Sequence, residues 1–422
     1  MSPALLSLII FGIFVIIFVW DKLPMATSAM LACAIMVILQ IVDFSTAFGQ
    51  FASTNTVMLL GVMVVGAAMT ETGLAASIGN LVTKVSRNSE RGVVAAAYTL
   101  SYFLSAFLSN ASVLAIFLPI LFGMNTKDGK INHRNLVMPV LVATTIGGIS
   151  TLVGSTQQLT ANGLIQDIGY ELKVFDQTPV GAVLGLAGLL FCSFIGYPIG
   201  KRIWGNRPVA DGCEIAEIKT VEIDKRRFIT MIVILVLMVA SYIINVIPAA
   251  VTACMAGLLC IITGCITQKK AISMVNWNVL GRLGGVLGLA KVLTAAGGVD
   301  LLSEWVQGII GTSMAPYALF AISVLITQLL SLVLFNSTTI ILVLSIICSL
   351  SAPMGLNPVP FAIGITMGAS MGISCPLSGS TNQMSMAAGY RFKDYFKYGA
   401  LMDLIGYIVI VVFTPIFFSL TL

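Results

Sequence analysis

FLSNASVLAIF, Phe107–Phe117, lies inside a run from Gly92 to Met124 that carries no charged residue. The run is too long for one membrane crossing, for which about 20 apolar residues suffice. Ser109, Asn110 and Ser112 fall near its middle, where an unpaired polar group would cost several kcal/mol in hydrocarbon. A turn at Asn110 removes the conflict. Two half-helices of roughly 15 residues would then enter and leave on one side, forming a re-entrant hairpin whose polar tip lies at membrane depth but away from lipid.

Composition supports this setting. Hydrophobic residues make up 58% of the 422 and charged residues 9%, against about 25% charge in soluble domains. The chain reads as an all-α polytopic protein of the cell membrane. The net charge of +5 does not point to nucleic acid, because the basic residues sit in short loops rather than along one face. No cleavable signal peptide is expected, since Ser2 to Trp20 lacks a basic leading segment. The eight cysteines are scattered without a CxxC pair and read as small buried hydrophobes.

Plain spanning helices are expected near residues 3–20, 24–42, 178–199, 228–246, 249–266 and 398–420. The regions 55–83, 92–124, 135–165, 277–310, 315–349 and 359–389 are too long or too interrupted for single helices. With the 200–227 segment inside the cell, nineteen of the twenty-two Lys and Arg fall on that side. The positive-inside rule then places both termini outside. This accounting requires 92–124 and 315–349 to be re-entrant hairpins opened from opposite sides.

The chain also repeats itself at an offset of 224 to 226 residues. LPMATSAMLACAIM from Leu23 aligns with IPAAVTACMAGLLC from Ile247, and GVMVVGAAMTETG from Gly61 with GVLGLAKVLTAAG from Gly285. The Asn110 segment aligns with VLFNSTTIIL from Val333, which pairs Asn110 with Asn336. Gly154-Ser155-Thr156 pairs with Gly379-Ser380-Thr381. Two repeats, residues 1–204 and 228–422, flank a charged cytoplasmic linker at 205–227. Because each holds an odd number of crossings, the second is expected to be inverted, an arrangement found in secondary transporters with the site where the repeats meet.

The polar segments suit such a site. The half-helix after Asn110 would point its free N–H groups at the tip and attract an anion. The last carbonyls of the preceding half, with Ser105, Ser109 and Asn110, offer neutral oxygens for a small cation such as Na⁺. Gly154 to Gln158 and Gly379 to Gln383 read as unwound stretches within two broken helices, which is tolerable only where they line a cavity. Glu71, Arg282, Lys291 and Asp403 are charges near the hydrocarbon; they read first as structural or interfacial, though such residues are also functional candidates. Leu74 to Arg87 and Val299 to Ile310 read as interfacial helices. His133, the only histidine, reads as a solvated loop residue. The absence of a P-loop argues against direct ATP drive.

SNAS at Ser109 to Ser112, FNSTT at Phe335 to Thr339, and the VGSTQQ and SGSTNQ loops resemble the two hairpin tips and two glycine-hydroxyl loops of the divalent anion/sodium symporter family, within the ion transporter superfamily. The resemblance implies a homodimer with a scaffold and an elevator-like transport domain, and Na⁺-driven uptake of dicarboxylates, citrate or sulfate. It implies one Na⁺ site at Ser105, Ser109, Asn110 and Gly154 and a second at Ser331, Asn336 and Gly379. Ser109, Asn110, Asn336, Ser337, Thr338, Thr156 and Thr381 would hold the anion. Ala111 and Phe335 replace tip hydroxyls of the family pattern, and neither loop has its Pro-Pro pair; the departures bear on cargo, and a monoanion or a more apolar acid stays open. The expected function is cation-coupled symport of a small anion, held by amides, hydroxyls and helix dipoles rather than by an arginine, with no organic cofactor. An exchanger or H⁺-coupled carrier of the same fold is the nearest alternative. A membrane-embedded enzyme is a distant one, with only Glu71 and Asp403 as deep carboxylates.

Overall fold

The computed structural model describes all residues except 1, 21–24, 75–76, 78–88, 124–131, 206–223, 245, 299–300, 302–303, 306–314, 333, 335 and 377. Most of the linker, most of both expected interfacial helices, and Phe335 therefore lie outside the described residues.

The first half contains α1 (Pro3–Trp20), α2 (Met25–Ile38), a short α3 (Phe44–Phe48), α4 (Thr54–Glu71), α5 (Glu90–Ser105), α6 (Asn110–Gly123), α7 (His133–Ile149), α8 (Thr156–Gln166), α9 (Thr178–Leu190) and α10 (Tyr197–Trp204). A π-helical turn, Phe191–Gly196, joins the last two into one long helix. The second half contains α11 (Lys225–Ile244), α12 (Ala249–Ile262), a short α13 (Gln268–Met274), α14 (Trp277–Ala295), α15 (Pro316–Ser331), α16 (Asn336–Met354), α17 (Pro358–Ser370), α18 (Ser380–Ser385) and α19 (Phe392–Phe417). Each half thus ends with a helical hairpin, an interrupted helix and a long helix, in that order.

Local sequence explains the element ends. The turn of the first hairpin falls where expected: Ser109 Oγ accepts the Ser112 N–H at 3.3 Å and caps α6. α2 stops short of the expected residue 42, with Gln40 in the left-handed region at φ 53. Asp43 then caps α3, and Ser53 caps α4. Gly73, at φ +74, ends the extension of α4. The last helix begins at Phe392, earlier than expected, because Asp394 accepts the Arg391 N–H at 2.8 Å.

The helix breaks also differ from expectation. They lie at 150–155 and at 371–376 with 378–379, whereas Thr156 to Gln158 and Ser380 to Gln383 are helical. Ser155 (φ −145, ψ 151) and Gly379 (φ −171, ψ 162) are extended, so each new helix begins directly after them.

Two groups of helices pack together. In one, α4 lies on α12 and α2 on α14; in the other, each hairpin packs on its interrupted helix, and α9 packs on α19. The first group relies on close backbone approach. A Cβ on Gly61 would lie 2.5 Å from the Ala253 carbonyl, and one on Gly285 would lie 3.0 Å from the Ala29 Cβ. These are the same two sequence positions, 224 residues apart, exchanged between halves.

Among the described residues, five helical stretches are long and apolar enough to cross a membrane: Phe44–Glu71, Thr178–Trp204, Lys225–Ile244, Asn336–Met354 and Phe392–Phe417. α11 exposes Ile229, Val233, Val236 and Leu237, and α19 exposes Phe396, Leu404, Ile408 and Val412. By contrast, every residue of α7 is buried. Apolar side chains outside and a covered central helix define an integral membrane protein.

His133 departs from its expected solvated setting. It is 3% exposed, packs edge-on against Phe122 at 5.2 Å, and has Nε2 3.3 Å from the Ala388 carbonyl. It begins α7, and the neighbours that cover that helix cover it too. Nearby, buried Glu90 accepts from Tyr197 Oη at 2.7 Å and from Asn135 Nδ2 and the Asn132 N–H at 3.1 Å, with Lys201 Nζ 3.6 Å away. One carboxylate thereby fastens α5, α7 and α10.

Candidate transport site

At the first tip, the Ser105 hydroxyl lies 2.9 Å from Asn110 Oδ1 and 2.8 Å from the Thr144 carbonyl, so it can donate to either. The first break folds against this tip. Thr151 Oγ1 donates to the Ala106 carbonyl and accepts the Gly154 N–H at 3.2 Å. A Cβ on Gly154 would sit 2.6 Å from the Gly148 carbonyl oxygen and 2.8 Å from that of Ser105. A Cβ on Gly148 would strike Asn110 Oδ1 at 1.9 Å. The Gly148 and Ser105 carbonyls thus crowd the space beside Gly154, and the Asn110 amide oxygen lies beside Gly148; all three are hard neutral donors.

A cavity of about 500 Å³ opens beside the tip. Ser109, Asn110, Ala111, Gly154 and Thr156 line it from the first half, and Ser380 and Thr381 from the second. α4 and the start of α14 line it as well, including Thr70, Asn276, Asn278 and Arg282. Four of the seven expected anion residues therefore meet in one space: Ser109, Asn110, Thr156 and Thr381. Ser337 instead lines a narrow adjoining crevice with Thr156, Thr160 and Arg282. Asn336 and Thr338 line neither space.

The second tip is built differently. Among the described residues, Asn336 Oδ1 and Thr338 Oγ1 are buried without a hydrogen-bond partner, as are Ser155 Oγ and both amide atoms of Gln158 at the first break. Buried oxygens of this kind are free to ligate, and in a low-dielectric interior a polar contact is worth more than in water. The Ser331 hydroxyl donates to the Gln328 carbonyl at 2.8 Å. Gly379 has open space around it. The second break is held by Asp403 of α19, whose carboxylate accepts the Ile373 and Ser374 N–H groups at 2.9 and 3.0 Å. Asn382 Nδ2 donates to the Gly372 and Cys375 carbonyls, each at 2.8 Å.

The sequence model of the CitMHS family, described as citrate transporter, matches residues 15–329 and 242–422. The chain belongs to the CitMHS citrate transporter family. The resemblance to anion/sodium symporters therefore holds at family level, and this CitMHS member is a transporter rather than an enzyme. An uncharacterised transporter of Synechocystis is 21% identical across 96% of this chain and 95% of its own. The sodium-dependent dicarboxylate transporter SdcS of Staphylococcus saprophyticus is 21% identical across 93% of this chain and 82% of its own. Among solved structures, the YdaH transporter of Alcanivorax borkumensis superposes with a TM-score of 0.63 at 14% identity, covering 99% of this chain and 98% of that one. MtrF of Neisseria gonorrhoeae, described as illuminating a class of antimetabolite efflux pumps, gives 0.63 at 12% identity, covering 99% of this chain and 95% of that one. These two likenesses concern the fold.

The four charges that the sequence places in apolar segments of this CitMHS member have different roles. Glu71 pairs with Lys270 at 2.6 Å, and Lys291 pairs with Asp167 where α14 meets the end of α8. Asp403 holds the second break. Arg282 lines the cavity, although the sequence reading assigned the anion no arginine; its one usable signal was a charge early in a long apolar helix.

Proposed function

We propose that the protein is a Na⁺-coupled symporter of a small carboxylate anion, with the site at the hairpin tips and helix breaks. The observation that carries this reading is the approach of the Ser105 and Gly148 carbonyls at Gly154, with Asn110 Oδ1 beside Gly148, next to the cavity at the start of α6. Those oxygens suit a cation, while the N-terminal N–H groups of α6 suit an anion. Ser105 contributes its carbonyl in this arrangement, and Ser109 faces the cavity. The unpartnered Asn336 Oδ1 is the corresponding ligand of a second Na⁺, with Ser331 and Gly379 nearby in the sequence pattern. The name of the SdcS relative agrees with Na⁺ coupling and a dicarboxylate.

In this reading the halves are inverted repeats, the hairpins and broken helices move as an elevator against the α2, α4, α12 and α14 group, and the carrier is a homodimer with both termini outside. The exchanged Gly61–Ala253 and Gly285–Ala29 contacts support the repeat, because a two-fold axis between halves produces such a pair.

Uptake of labelled citrate and succinate into proteoliposomes, with the Na⁺ gradient present and collapsed, tests the coupling. Uptake that needs the gradient is expected; equal uptake without it points to H⁺ coupling or exchange. Asn110→Ala and Asn336→Ala are each expected to raise the Na⁺ concentration for half-maximal uptake by about 10–100-fold, the range seen when support around a bound metal is lost. Wild-type Na⁺ dependence in either variant would remove that residue from the site.

A further inference from the structure

Arg282 sits five residues into α14, about 8 Å along its axis at ~1.5 Å per residue. It lines both the main cavity and the crevice that reaches Ser337. Lys291 on the same helix and Lys270 just before it each have a carboxylate. Among the described residues, Arg282 has no ion pair. A guanidinium at membrane depth persists where it faces water or an opposite charge. Here it shares its space with the Ser109-to-Ser112 tip and with Asn276 and Asn278, so snorkelling into lipid does not describe its setting.

The walls of this cavity are complementary. The tip wall offers hydroxyls, an amide and the start of α6, but Ala111 provides no hydroxyl there. Arg282 offers one full positive charge to the same cavity, and its planar fork matches a carboxylate. We propose that Arg282 determines specificity by pairing the second carboxylate of a dicarboxylate whose first is held at the Ser109-to-Ser112 tip. This rests on the anion-carrier reading above. It restores the dianion preference that the loss of tip hydroxyls would remove.

Succinate and its monoamide, succinamate, have nearly the same shape and differ by one charge. Their affinities are measured by melting-temperature shifts of the full-length purified protein in Na⁺. Wild type is expected to prefer succinate by about tenfold or more, as for a charge-assisted contact. Arg282→Gln is expected to lose that preference, and Arg282→Lys to keep part of it. Arg282→Cys is expected to regain it when methanethiosulfonate-ethylammonium restores a positive charge, with treated wild type as the control for native cysteines. The cysteine variant compared before and after modification decides the matter even if Arg282→Gln does not fold. A succinate preference retained in Arg282→Gln or in unmodified Arg282→Cys would overturn the assignment, as would a wild type that does not distinguish the two probes. A wild type stabilised by neither probe, nor by citrate or sulfate, would sink the anion-carrier reading itself.

Discussion

Gly154→Ala is expected to abolish Na⁺-dependent uptake and to lower the melting temperature, whereas Gly379→Ala is expected to fold with nearly wild-type stability. The two glycines occupy matching positions in the sequence, but their surroundings differ. A methyl group at residue 154 would lie 2.6 Å from the Gly148 carbonyl and 2.8 Å from that of Ser105. Both obstacles are backbone, so they cannot rotate away, and overpacking of this kind costs about 1–3 kcal/mol. The oxygens displaced are those proposed to hold the cation. At residue 379 nothing lies within 4 Å of the new methyl group, which leaves the change within about 0.5 kcal/mol. Transport lost in Gly379→Ala at unchanged melting temperature would therefore report a ligand in that space. A Gly154→Ala protein with wild-type melting and uptake would show that the carbonyls do not converge there.

The second large effect is expected at Asp403. Its carboxylate takes two backbone N–H groups of the second break, and Gln328 Nε2 donates to the Asp403 and Met371 carbonyls at 2.8 and 3.2 Å. Asp403→Leu leaves two buried donors without acceptors, at about 1–3 kcal/mol each. Purified protein should melt at a much lower temperature and lose transport. Asp403→Asn retains one carbonyl oxygen and a similar shape, so an intermediate melting temperature is expected. Equal melting of the leucine variant and wild type would mean that the break holds itself without this carboxylate.

The hairpins were legible because a polar tip inside a long apolar run has few physical solutions. The Asn110 turn lies where the sequence places it, and Ser109 supplies the cap. The breaks were legible only approximately. Glycine followed by hydroxyl residues signals an interruption, but Thr156 and Ser380 start helices rather than loops, since the extended residue just before each one ends the break. His133 was misread because a basic, hydrophilic neighbourhood in the chain does not report which helices pack over it. Asp403 and Arg282 were both visible as charges in apolar segments. Their opposite roles were not, because one faces a backbone loop on another helix and the other faces a cavity.

The sequence by itself determined a polytopic α-helical membrane transporter with two polar hairpin tips and two interrupted helices. Hydropathy, chain length and the cost of unpaired polar groups act along the chain, so they can be read from it. Tertiary structure alone decided that Thr156 and Thr381 share one cavity with Ser109 and Asn110 while Asn336 and Thr338 stand apart, and that Arg282 lines the same cavity. Those relations depend on how helices separated by many residues pack against one another. No local pattern in the chain encodes which side chains that packing brings together.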